Sequence, residues 1–136
     1  PDCPLKVQSE IKIKEYMESF EDSNFKNTAN AIIDLANSAN LYLNERAPWK
    51  LIKDISNKEI VAHDIYSVLE SCRLIGVLLY PFVPDLSTRI LNQLKVDHYS
   101  ITFENSLHWG LLNPNNGLEK PCPVMNKIEY TDDVYE

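Results

Sequence analysis

The sequence predicts an all-α protein: a helix bundle of about four helices with an irregular C-terminal strap packed across it. Three observations lead there. Apolar residues recur at helical spacing from about residue 7 to residue 94. Only three glycines occur in 136 residues, Gly76, Gly110 and Gly117, fewer than a strand-and-turn architecture needs. Prolines stand where the apolar stripes stop, at Pro48, Pro81 and Pro84, and return toward the C-terminus at Pro114, Pro121 and Pro123.

The first helix is predicted over 7–20, where Ile13, Tyr16, Met17 and Phe20 share one face and Glu10, Lys14 and Glu18 the other. Asp22 or Ser23 is the expected N-cap of a second helix over 24–46. Its stripe reads Phe25, Ala29, Ile32, Ile33, Ala36, Ala39 and Leu43, with alanines small enough for a close neighbour, and Pro48 ends it. Residues 50–57 form a short connector with a helical turn. Ser56 or Asn57 is placed to cap a third helix over 58–80. Ile65, Val68, Leu69, Cys72, Ile75 and Leu79 are its predicted inner face, widened by Leu74, Val77 and Leu78. A fourth helix, 84–94, starts near Pro84, tolerated in a first turn, and turns Leu86, Ile90, Leu91 and Leu94 inward. From 95 to 136 helical periodicity is lost. Ile101, Phe103, Leu107, Trp109, Leu111, Leu112, Leu118, Val124 and Ile128 remain as anchors, which a disordered tail would lack. This segment is the strap, and the whole is one domain, 1–136.

Hydrophobic residues make up 44% of the chain, enough for a core without metal or disulfides. Cys3, Cys72 and Cys122 are odd in number and far apart, which fits a reducing compartment. His63, His98 and His108 have no ligand spacing, so no metal is expected. No apolar run is long enough to span a membrane and no signal peptide opens the chain, so the expected location is the cytoplasm, or an organelle matrix or stroma. No nucleophile–histidine–acid set and no phosphate loop is present, so no catalytic residue and no cofactor is assigned to this segment. Carboxylates are expected on solvated helix faces.

Net charge is −7, which argues against a broad phosphate-binding surface and against DNA as a partner. The charge is uneven, however. Residues 40–58 carry 4 basic and 2 acidic side chains, while the flanking segments are net negative. That positive stretch surrounds Trp49. Proline has no amide donor and restricts the residue before it, so Ala47-Pro48 stops a helix and presents Trp49 at its end. Two readings compete for this indole: a core plug at the end of the bundle, or a platform on which a flat ligand such as an unpaired base stacks, contributing ~1–3 kcal/mol.

The residues Ala39-Asn40, Tyr42 and Ala47-Pro48-Trp49 resemble the Ala-Asn-x-Tyr…Ala-Pro-Trp signature of the C-terminal anticodon-binding domain of methionyl-tRNA synthetases, class I aminoacyl-tRNA synthetases. Phe20-Glu21 leading to Phe25, Ala29 and Ala31, the Leu79-Tyr80-Pro81-Phe82-Val83-Pro84 stretch, and Lys120-Pro121-Cys122-Pro123 with Ile128-Glu129 resemble other parts of that domain in the same order. At the last of these, Val124-Met125 and Lys127 depart from the family pattern. The resemblance covers about residues 15–130. It implies a bundle that reads the CAU anticodon of methionine tRNA, with Trp49 stacking on an anticodon base and Asn44 and Pro48 beside the same pocket. Arg46, Lys50 and Lys53 are then expected to contact phosphate.

Two of the family's anticodon readers, an Asn and an Arg on a helix preceding the first one here, have no counterpart in this chain. The family's His-Ile-Gly-His and Lys-Met-Ser-Lys-Ser signatures and its zinc-binding insertion are also missing. The expectation is therefore a C-terminal piece of a longer methionine–tRNA ligase, whose ATP and catalytic domain belong upstream. Two alternatives stay open: a non-enzymatic helical protein-interaction module, which suits the acidic total charge, and the anticodon domain of another class I synthetase.

Overall fold

The computed structural model describes residues 3–96 and 103–113. The described residues form α1 (Pro4–Glu21), α2 (Phe25–Arg46), the single turn α3 (Pro48–Leu51), α4 (Lys58–Leu79) and α5 (Pro84–Gln93). Short 3₁₀ turns lie at Ile55–Asn57 and Glu104–Ser106. No strand occurs among them, and the all-α expectation holds.

α1 starts earlier than its periodicity suggested because Pro4, with φ pre-set for helix, occupies the first turn while Cys3 stays extended. This start brings Cys3 and Leu5 into a small core with Ala39. The α1–α2 corner is turned by Ser23, which takes a left-handed conformation, φ 58°. The cap of α2 is Asn24, not Asp22 or Ser23: its side chain accepts from the Asn27 amide at 3.2 Å. Asp22 and Ser23 are used by the end of α1, their amides bonding to the Glu18 and Phe20 carbonyls.

The inner face of α2 is also shifted from expectation. Thr28, Ala31, Ile32, Leu35 and Ala39 are buried, whereas Phe25, Ile33 and Ala36 face outward, Ile33 with 55% of its surface exposed. The predicted stripe mixed two adjacent faces, because Ile32-Ile33 offers either. Packing against α1 and α4 selects the face with Leu35 at its centre.

α4 is central, in contact with α1, α2, α3 and α5. It runs as predicted, but its buried residues are Val61, Asp64, Ser67, Glu70, Ser71, Arg73, Leu74, Gly76, Val77 and Leu78. Ile65, expected inside, is exposed, and Val68, Leu69, Cys72, Ile75 and Leu79 are half-buried. A helix surrounded on several sides buries polar side chains that find partners there. On α5 Leu91 is buried and Leu86 and Ile90 half-buried, and its C-cap residue Leu94 is buried too. Gly76 lets α5 approach: a Cβ there would stand 3.0 Å from Ile90 Cγ2, and Ser87 Oγ donates to the Gly76 carbonyl at 2.6 Å.

The main core joins Tyr16, Ala31, Ile32, Leu35, Leu74 and Leu78, and Phe103, Leu107 and Trp109 of the strap pack against it. Burial of Ile32, Leu35, Leu74 and Leu78 contributes roughly 1.5–3 kcal/mol each. Trp109, one of the expected anchors, packs against both cores. Leu112 is buried, while Leu111 is largely exposed. The expected anchors Ile101, Leu118, Val124 and Ile128, and the 117–129 motif, lie outside the described residues.

Candidate functional site

The last turn of α2 ends on Ala47, whose backbone is left-handed (φ 45°, ψ 60°). An L-residue pays roughly 1–2 kcal/mol for that conformation. The bonds on either side hold it: the Ala47 amide donates to the Leu43 carbonyl at 2.9 Å, and the Lys50 amide donates to the Ala47 carbonyl at 2.9 Å. Pro48 then opens α3, where its missing donor costs nothing. The chain therefore changes direction within one residue. Pro48 is buried beneath the turn, and Trp49 stands on its outer side, 52% exposed.

Ile52 and Lys53 follow directly on α3, Ile52 as its C-cap residue. Ile52 is more than half exposed, and Lys50 and Lys53 are exposed. The turn beyond is closed by local bonds. Asp54 accepts from the Ser56 amide at 3.0 Å, which draws its carboxyl below the usual carboxylate range, and Asn57 Nδ2 donates to the Leu51 carbonyl at 3.1 Å. Asn57 thus occupies the N-cap position of α4 without capping it by its side chain.

Behind the turn lies a buried carboxylate. Asp64 of α4 is 2% exposed and receives two bonds from the end of α2. Tyr42 Oη donates to Oδ1 at 2.9 Å and Arg46 Nε to Oδ2 at 3.0 Å. Burial, followed by the bond to Asp64, pushes the Tyr42 phenol up to about 12, so it remains a donor. The same carboxylate raises the Arg46 pKa further. The exposed His63 ring lies 3.9 Å from Asp64 Oδ1.

The structure gathers all six sequence-predicted site residues at the α2–α3 junction. Trp49, Lys50 and Lys53 are exposed and Asn44 is exposed one turn before the junction. Pro48 is buried under the turn, and Arg46 is tied through Nε to Asp64. Asp64 was not anticipated, because acidic residues were expected on solvated faces. The signal lay in its register: Val61, Asp64, Val68 and Ser71 recur at helical spacing, a lone acid within an inward row. The free cysteine Cys3 belongs to the small core that Tyr42 packs against, its Sγ 3.3 Å from Ser67 Oγ, and Cys72 is free and half-buried on α4. Among the described residues no cluster of metal-ligating side chains occurs, and no helix is long and apolar enough to cross a membrane.

Comparison with known proteins agrees with this geometry. The family described as the anticodon binding domain of methionyl tRNA ligase matches residues 3–135. A methionine–tRNA ligase of a Synechocystis species is 37% identical over 95% of the chain, which spans 26% of that relative. The chloroplastic/mitochondrial methionine–tRNA ligase of Arabidopsis thaliana is 31% identical over 98% of the chain and 22% of its own length. The methionine–tRNA ligase of Sulfolobus acidocaldarius is 41% identical over 85% of the chain and 20% of its own length. The chain thus spans about a quarter or less of the relatives it matches. With the half-exposed indole at a helix end and a match across nearly all of its residues, the chain belongs to the family of anticodon-binding domains of methionyl-tRNA ligases.

Proposed function

We propose that this chain recognises the CAU anticodon of methionine tRNA, as the C-terminal part of a ligase that attaches methionine to that tRNA using ATP bound in an upstream catalytic domain. The observation that carries this reading is the exposure of Trp49 on the outer side of α3 rather than in the core. An unpaired base that stacks on an indole gains ~1–3 kcal/mol, and any base has the flat face this requires. Choosing among bases falls to polar groups at base edges, and Asn44, exposed one turn before the junction, is an uncharged candidate. Lys50 and Lys53 supply charge for the phosphates, and Pro48 supports the turn from beneath. Cytoplasm, or an organelle matrix, is the compartment that suits this role.

The test is aminoacylation by the full-length ligase carrying Trp49→Ala. Loss of the stack is expected to lower kcat/KM for tRNA roughly 5- to 150-fold, while activation of methionine by ATP without tRNA stays unchanged. Unaltered aminoacylation kinetics would remove Trp49 from the interface and with it the physical basis of this reading. The acidic total charge favours a second reading, a protein-docking module, which predicts no tRNA affinity for the chain.

A further inference from the structure

Arg46 and Asp64 form an ion pair that straddles the surface. The Asp64 carboxylate is inside, with 3% of its side chain exposed, whereas the Arg46 side chain remains 44% exposed. Such a pair is a weak source of stability, because the acid is desolvated while the cation stays hydrated. It is a good device for orientation. Tyr42 and Arg46 are one helical turn apart on α2, and each occupies one carboxylate oxygen of a residue on α4. The guanidinium is planar with five donors, and Asp64 engages it at Nε. Among the described residues the Arg46 side chain makes no other bond, so its terminal amino groups remain for a ligand. Arg46 also stands three residues before Trp49, at the last residue of α2. Lys50 and Lys53, by contrast, have no side-chain partner among the described residues to hold them in one geometry.

We propose that Asp64 and Tyr42 are positioning residues that hold the Arg46 guanidinium as an oriented cation at the foot of α2, where it binds an RNA phosphate next to the base stacked on Trp49. The proposal rests on the anticodon-binding reading above. Pre-orientation lowers the entropy lost when a long side chain is ordered on binding, and a planar fork suits a phosphate better than a flexible ammonium.

Charge alone and positioning predict opposite signs for one substitution. Asp64→Asn removes an anion near RNA, so simple electrostatics predicts tighter binding. If the carboxylate orients Arg46, binding weakens. The probe is an anticodon stem–loop carrying CAU, titrated against the full-length ligase, with thermal unfolding recorded for every variant. Asp64→Asn is expected to weaken binding roughly 5-fold, and Tyr42→Phe, which changes no charge, by about 2- to 5-fold. In the Arg46→Gln background Asp64→Asn is expected to have no further effect, because the two act as one unit.

Binding by Asp64→Asn equal to or tighter than wild type would overturn the proposal, as would additivity with Arg46→Gln. If Asp64→Asn fails to fold, Tyr42→Phe decides: wild-type binding by that variant overturns the proposal, and weakened binding that vanishes as an effect in the Arg46→Gln background upholds it. Trp49→Ala, measured alongside, separates two failures. If it weakens binding and Asp64→Asn does not, the positioning role alone falls. If neither does, the RNA reading falls with it.

Discussion

Ala47 and Trp49 show how much one residue's backbone decides here. Proline after Ala47 removes the donor that α2 would need to continue, and the left-handed turn at Ala47 then sets the outward face of α3. Trp109 has the same side chain with the opposite fate: it packs against both cores because the strap lies over them. The two buried-edge tyrosines carry a measurable signature. Burial pushes the phenols of Tyr16 and Tyr42 from the ordinary 10 up to about 12. Tyr16 Oη donates to the Leu78 carbonyl at 2.9 Å, a bond that requires its proton. Between these values the folded state holds protons that the unfolded state has lost, so stability falls as pH rises from about 10 to 12 and is complete below 10. Denaturant titrations across that range are expected to show this slope, and Tyr16→Phe or Tyr42→Phe each to reduce it by one proton. A slope unchanged in both variants would mean the alkaline loss arises elsewhere.

The strap is held to α4 by an ion pair that, unlike Arg46–Asp64, is buried on both sides. Glu70 is fully buried and Arg73 is 1% exposed. Arg73 Nε and Nη2 donate to Glu70 Oε1 at 2.9 and 2.5 Å, while Nη1 and Nη2 reach the Ser106 and His108 carbonyls at 2.7 Å. Glu70 in turn accepts the amides of Gly110, Leu111 and Leu112 at 2.9–3.2 Å. Gly110, at φ 96°, supplies a backbone shape that lets these donors converge on one carboxylate. Tyr66 Oη closes the arrangement with a 2.8 Å bond to the Leu112 carbonyl. A helix side chain thus satisfies backbone groups of a segment that forms little regular structure of its own. Glu70→Ala leaves a guanidinium buried without its counter-ion and three amides without acceptors. The expected cost is about 3–5 kcal/mol in chemical denaturation. Hydrogen exchange at residues 110–112 is expected to accelerate. Retained protection there would show that packing of Trp109 and Leu112, not the carboxylate, holds the strap.

Over the whole molecule, charge and shape divide the ends of the bundle. α2 is 22 residues long, so its two ends lie about 33 Å apart. At its first residue Phe25 meets Phe20 and Phe82 edge-on, with ring centroids 5.9–6.3 Å apart. At its last, Arg46 lies within the net-positive stretch 40–58 of a chain whose net charge is −7. Binding of RNA confined to that end engages few phosphates. The affinity for the anticodon stem–loop is therefore expected to fall with salt at a shallow slope, roughly two to three phosphates' worth in log–log form, and Lys53→Gln to lower the slope by about one. A salt-independent affinity would instead fit an apolar docking surface.

Helix number, the stop at Pro48 and the Trp49 junction were legible from residue order alone, because periodicity and proline stereochemistry are local properties; the early start of α1 at Pro4 and the cap at Asn24 were not. The membership of α2's inner face was not. Ile32 and Ile33 are equally apolar, and only contact with α1 and α4 chose between them. Residue order sets Asp64 in an inward row, but neither for Asp64 nor for Glu70 does it show the partners an interior acid needs. An acid is buried only where donors distant in sequence meet it, here from α2 for Asp64 and from the strap for Glu70, and those meetings exist only once the chain has packed.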